Sequence, residues 1–345
     1  MFVFSLLKAC SEHHVAILCE GSTLMPTFAE ALCVFYCEAA GIMRQQGKPC
    51  VAYGSEVGRL DGWQAQLSRD LCRDVFFIVR TEESLQNLRA LGLHGRLGTD
   101  TAWTFHSKDG EVWAREHLMK AGWDGKQPLV GVAPLDPFCW PVSPSLWRWL
   151  KSAVTGDVSL QYDKMYFFSD SEGRRRRYQH YLAAMASATN RYCNEQHAFV
   201  VVLGMEKLDV KACEQLGQML TVPHAVFTSK QCDVFQMTGL LRLLSILLTS
   251  RYHASVLSME HGCPIVSVSI DARLNGIMKE MGLAENYLHR ASDDDLEQKI
   301  LDSMRRAGEH KQEIGEIVRH HLFVYKNKVN QMSQYFTEWL KNAFS

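Results

Sequence analysis

The 345-residue chain carries no surplus of charge. Its 37 basic and 38 acidic side chains leave a formal net charge of -1, which argues against binding nucleic acid by bulk charge and against an acidic solvating role. Its eleven cysteines are odd in number and irregularly spaced, and none forms a Cys-x-x-Cys pair. A disulfide framework or zinc ribbon is therefore not expected, and reduced, buried thiols in a reducing compartment are. No His/Cys/Asp/Glu cluster has metal-ligand spacing, so no metal is expected. Long apolar runs are missing too. The most apolar segment, Leu240 to Leu248, is broken by Arg242 and Ser245 and falls far short of the ~20 residues that span a bilayer. The first residues, Met1 to Cys10, have no basic stretch ahead of the apolar one, unlike a signal peptide. The expectation is a cytoplasmic protein without a transmembrane segment, with association at a membrane surface left open. No tandem repeat or low-complexity stretch occurs.

What is present is ordinary globular material, 47% hydrophobic and 22% charged. At roughly 100–200 residues per domain, the length suggests two domains. Val15 to Cys19 is an apolar run suited to a buried parallel strand. Glu20, Gly21, Ser22 and Thr23 then form a polar loop, and a helical segment runs from Pro26 to about Gln46. Gly47 stops it, and Lys48-Pro49 leads to a second strand at Cys50–Tyr53. The same order recurs later: strand 246–249, polar loop 250–253, a helix to about 260, then Gly262-Cys263-Pro264 and strand 264–268. Two such β-α-β units predict an α/β fold with two Rossmann-like domains, ligands binding beyond the carboxyl ends of the strands. Asp124 to Pro128 is the candidate linker. It divides the chain into an N-terminal domain, 1–125, a C-terminal domain, 126–310, and a helical tail, 311–345. Residues 134–180 are rich in aromatics, which either complete a core or make a wall for a sugar ring. They end in Arg174–Arg177, either a solvated helix start or a clamp for an anion.

The loop Ser250-Arg251-Tyr252-His253 holds the densest chemistry. If it is extended, Arg251 and His253 point the same way, and the helix that follows offers free N–H groups to an anion. A guanidinium and an imidazole there suit a phosphate or carboxylate, with a general acid or base beside it. A surface pair or a histidine satisfied within the fold is the alternative, as a plain helix cap is for Ser22. Asp271 and Arg273 follow the next strand and either line the same cleft or are ordinary loop charges.

The stretch from Thr249 to Arg273, with Arg251-Tyr252-His253-Ala254, a helix, Gly262-Cys263-Pro264 and a strand, resembles the signature of the polysaccharide pyruvyl transferase family. Leu274–Leu283, the Glu20–Thr23 loop, the Gly47-Lys48-Pro49 step and Gly98–Ala102 extend the likeness. The resemblance implies a GT-B-like fold, two Rossmann-like domains facing a cleft, and transfer of the pyruvyl group of phosphoenolpyruvate to sugar hydroxyls as a ketal. Phosphoenolpyruvate would be donor substrate, with no cofactor, and a glycan or lipid-linked oligosaccharide the acceptor. It assigns Arg251 and His253 to phosphoenolpyruvate, with His253 as acid–base. Tyr252, Glu20, Gly21, Ser22, Thr23, Asp271 and Arg273 are the further candidates for substrate binding. Family members open with a strand and a glycine-rich loop well ahead of the position of Glu20, so the likeness implies an incomplete first domain. A nucleotide-sugar glycosyltransferase on the same fold and an inactive, truncated glycan-binding relative are the alternatives.

Overall fold

Short apolar runs bounded by polar loops become parallel strands in this chain, and amphipathic segments between them become the covering helices. The computed structural model describes residues 2–19, 23–25, 30–107, 109–139, 142–158, 160–269 and 272–345. They form two units, one made of 1–101, 140–168 and 325–345, the other of 102–139 and 169–324.

The first unit opens with α1 (Phe2–Glu12), β1 (Ala16–Leu18), α2 (Glu30–Gln45), β2 (Cys50–Ser55), α3 (Gly62–Leu71), β3 (Phe76–Val79), α4 (Glu82–Ala90) and β4 (Gly95–Leu97). The strands form one parallel sheet in the order β1-β2-β3-β4. Cys33 and Cys37, four residues apart on α2, share a face as their spacing requires. Both are buried, in a core with Met43, Ala52, Cys72, Phe77 and Leu88. Thr81 caps α4 by accepting from the Ser84 N–H, which satisfies one of the helix's free donors.

The second unit begins with α5 (Gly110–Lys120) and β5 (Leu129–Ala133). After β5 the chain enters an excursion belonging to the first unit. It comprises β6 (Ser143–Pro144), α6 (Leu146–Thr155), β7 (Gln161–Asp163) and β8 (Tyr166–Phe167), the strands forming a small antiparallel sheet. The second unit resumes with α7 (Glu172–Gln196), β9 (Phe199–Gly204), α8 (Val210–Met219), β10 (His224–Thr228), α9 (Val234–Arg242), β11 (Ile246–Thr249), α10 (Tyr252–Ser258), β12 (Ile265–Ser269), α11 (Ala272–Glu280), α12 (Ala284–Tyr287), β13 (Leu288–Arg290) and α13 (Leu296–Glu309). The last helix, α14 (Lys311–Ala343), is counted with the second unit up to Val324 and with the first from Tyr325.

The second sheet is wholly parallel, in the order β10-β9-β5-β11-β12-β13. Renumbered within its own unit it reads 3-2-1-4-5-6, the doubly wound order, with its switch point between β5 and β11. The repeated step seen in the sequence is present in both units. Gly47 and Gly262 both take left-handed backbone, with φ of 67° and 70°, and each hands a helical segment to a proline and a strand.

Three expectations change. The domain boundary lies at 101/102 rather than 125/126. Asp124 to Pro128 is a turn inside the second unit, where the Asp124 carboxylate accepts from the Lys126 and Gln127 N–H groups and the Trp123 indole donates to the Gln127 carbonyl. Composition cannot tell such a turn from a linker. The tail is also no separate module, because its last part covers the first sheet. Trp339 stacks on Phe76, Phe336 meets Tyr53 edge-on, and Met332 is fully buried against Thr99. In the aromatic segment Phe167 is buried, but Trp147 and Trp149 stand in solvent on α6, so these two complete no core. Trp140 lies outside the described residues.

Candidate functional site

At the switch point the two central loops are pinned together. The Ser250 N–H donates to the Ala133 carbonyl at the end of β5. Tyr181, wholly buried on α7, pairs its hydroxyl with that of Ser250 at 2.8 Å and accepts from the Leu135 N–H at 3.5 Å. Burial pushes this phenol well above its ordinary range, with the Ser250 and Leu135 contacts opposing, so it serves as a neutral strut.

Arg251 follows β11. Its N–H donates to the Thr249 hydroxyl at 2.8 Å. Its guanidinium turns to the loop after β9, donating through Nε to Asp209 at 2.9 Å and through a second nitrogen to the same oxygen, while Glu206 lies 3.4 Å away. Asp209 is completely buried and accepts from the Glu206 N–H at 3.0 Å. Burial raises the Asp209 carboxyl, against the pull of Arg251. Burial works against charge on Arg251 as well, but Asp209 and Glu206 outweigh it and hold the guanidinium above its ordinary value. A buried guanidinium without such partners would be far more costly. Arg251 thus spends much of its charge inside the fold.

The expected alignment of Arg251 with His253 does not form, because the loop is extended only at Arg251. Tyr252 opens α10, and residues two apart on a helix do not share a face. His253 packs its ring beside Tyr252, centroids 5.3 Å apart, and the Arg273 guanidinium lies 5.5 Å over the Tyr252 ring. Arg273 is near enough for its charge to act on Arg251. Thr23 is completely buried in the first unit. Glu20, Gly21, Ser22 and Asp271 lie outside the described residues.

The sequence reading missed Asp136, Glu206, Asp209 and Tyr181. The first three follow strand ends, and that position was the available signal. Asp136, just past β5, is partly buried and accepts from the Phe138 N–H at 2.9 Å. Burial raises its carboxyl, while the Phe138 N–H, Lys211 and Arg174 pull it down. The nearby Cys139 thiol is pushed up to about 12 by burial and by Asp136. The arginine run resolves into two pairs at the start of α7. Arg175 and Arg176 pair on the surface with Asp170 and Glu172. Arg174 donates to the Phe138 carbonyl at 2.8 Å, and Arg177 lies 5.4 Å over the Phe138 ring. At this sheet edge the charges of Lys211 and Arg174 act on Asp136, and those of Asp209, Glu206 and Arg273 on Arg251. Among the described residues no group of three or more ligating side chains could hold a metal.

No protein-family model matches the chain, and no curated protein is similar to it at a significant level. Solved structures are. Anabaena Alr3699/HepE in complex with UDP-glucose superposes over 99% of this chain and 82% of its own, with a TM-score of 0.55 at 12% identity. UDP-GlcNAc 2-epimerase from Neisseria meningitidis bound to UDP-GlcNAc covers 97% and 80%, with a TM-score of 0.56 at 11% identity. S. aureus MnaA, in a co-structure with UDP, covers 97% and 80%, with a TM-score of 0.54 at 14% identity. The fold is of the GT-B type. It comprises two Rossmann-like units, as the doubly wound second sheet and the parallel first sheet already indicate. Among the described residues no helix is long and apolar enough to cross a membrane.

Proposed function

We propose that the chain is a nucleotide-sugar-dependent glycosyltransferase that holds its donor at the carboxyl edge of the second sheet. The observation that carries this reading is the switch point between β5 and β11, with Arg174, Lys211, Arg251 and Arg273 around it. A crevice at that position is where doubly wound sheets take nucleotides, and cations there suit a diphosphate. The solved structures of the same fold hold UDP-glucose, UDP-GlcNAc and UDP, which supports a nucleotide sugar as the donor class.

In the reaction so envisaged, an acceptor hydroxyl attacks the anomeric carbon and the bond to the nucleoside diphosphate breaks. Arg273 and Arg174 stabilise the charge that gathers on the leaving diphosphate. Arg251 positions the β11 loop, held by Asp209 and Glu206. Asp136, raised by burial, is the candidate base for the acceptor proton.

A thermal-shift panel tests this. UDP-glucose, UDP-GlcNAc and UDP are expected to raise the melting temperature, since a ligand that binds only the folded state stabilises it. Arg273→Ala, on the partly exposed first turn of α11, is expected to keep the fold and weaken nucleotide binding by roughly tenfold. Glycosyl transfer to an acceptor then completes the assignment.

Pyruvyl transfer from phosphoenolpyruvate is the second reading. It is favoured by Arg251, Tyr252 and His253 following a strand of the second sheet, as the family likeness requires. A shift with phosphoenolpyruvate and none with nucleotide sugars would establish it in place of the first. A shift with neither would leave a binding module.

A further inference from the structure

Helix α6 is built inside out. Leu146, Leu150 and Val154 recur at four-residue spacing and so lie along one face, with Trp147 and Trp149 on its flanks. That face looks into solvent: Leu146 is 60% exposed, Trp147 76% and Val154 87%. The polar side turns inward instead. Ser152 is buried, Arg148 donates to the Phe168 carbonyl at 3.0 Å, and Ser145 caps the helix by accepting from the Arg148 N–H. An amphipathic helix of a globular protein normally does the reverse. Val158, Tyr162 and Met165, in the loop and hairpin that follow, are exposed too.

From this inverted face we propose that α6 and the β7–β8 hairpin dock the protein on an anionic lipid surface. The chemistry of the patch fits a bilayer boundary. Leucine and valine enter the acyl region, and the two tryptophans sit at the headgroup level with their N–H groups still wet. Lys151 borders the apolar arc beside Trp147, and Lys164, which follows Asp163 in the chain, stands exposed at the hairpin tip. Both can reach up to anionic headgroups. Asp157 comes only after the helix has ended at Gly156.

A second copy of the chain fits this face less well. A two-fold contact sets the same patch against itself: it would lay Lys151 of each copy beside an apolar face and bury indole N–H groups against apolar side chains. Contact between two such ten-residue helices would also bury on the order of a few hundred Å² per partner, below the ~800 Å² of a standard interface.

The proposal does not depend on the donor nucleotide. Its test is flotation of the full chain with vesicles of phosphatidylcholine alone and of phosphatidylcholine mixed with phosphatidylglycerol. The chain is expected to float with the mixed vesicles and to be released by salt. Trp147→Ser combined with Leu150→Ser removes only exposed side chains, so the fold should be retained, as circular dichroism will check. That variant is expected to lose roughly tenfold or more of the binding, and Lys151→Glu to weaken it further at low salt. Absence of flotation, or equal flotation by the double variant, would overturn the proposal, and equal binding to both compositions would overturn the anionic preference. A dimer in light scattering that the double variant converts to monomer would assign the face to a second copy instead.

Discussion

Arg251 and Asp209 together decide how the β9 and β11 loops are held. Asp209 is completely buried, so removing its partner leaves a charge that water cannot reach. Arg251→Ala is therefore expected to destabilise the fold by about 3–5 kcal/mol, measured by urea unfolding. Pairing it with Asp209→Asn should recover much of that loss, since no buried charge then remains. At Asp136, as at Asp209, burial is the largest effect on the carboxyl. Burial raises the Asp136 carboxyl, so the native state keeps the proton to a higher pH than the unfolded chain does. As pH rises from the ordinary carboxylate value through the raised one, this group takes stability away. Asp136→Asn should raise the melting temperature at pH above the raised value, the difference vanishing below the ordinary carboxylate value. If the same variant also slows turnover, the strain at Asp136 serves the reaction. Neither effect was visible in the sequence. The Arg-x-His spacing assumed an extended loop, whereas the backbone turns helical at Tyr252.

Among elements, α5 and α9 approach so closely that only hydrogen fits at their crossing. A Cβ at Gly239 would stand 2.0 Å from the Gly110 carbonyl oxygen. The Ser107 hydroxyl donates to the Phe235 carbonyl beside it, at 2.9 Å. Backbone cannot withdraw as a flexible side chain can, so Gly239→Ala should cost about 1–3 kcal/mol through overpacking, read as a fall in the denaturation midpoint. This crossing is what assigns α5 to the second unit. It depends on two glycines 129 positions apart, a pairing that no local pattern reveals. Local signals did serve where the cause is local. The apolar run 246–249 became strand β11, and the helical segment α2 ends before Gly47 as expected.

For the whole molecule, the two-sheet architecture was legible because each sheet repeats strand, loop, helix, glycine, proline and strand. The interleaving of the units was not, because it depends on which surface each segment covers. The first unit draws its far-side cover from the last twenty-one residues, 325–345. Trp339 on Phe76, Phe336 on Tyr53, the Arg96 guanidinium 4.6 Å over the Tyr335 ring and the buried Met332 close that face of the sheet. Tyr325, Val329 and Met332 are buried there; at about 1.5–3 kcal/mol for each large apolar side chain fully buried, their loss rivals the 5–15 kcal/mol by which a domain is stable at all. A chain ending at 324 is therefore expected to lose protection of β2 and β3 in hydrogen exchange and to aggregate through the bared sheet face. Fragment 1–125, the piece that composition alone would cut out as a domain, lacks the same cover and should fail to fold. A soluble fragment with protected β2 and β3 amides would mean that the sheet stands without this helix.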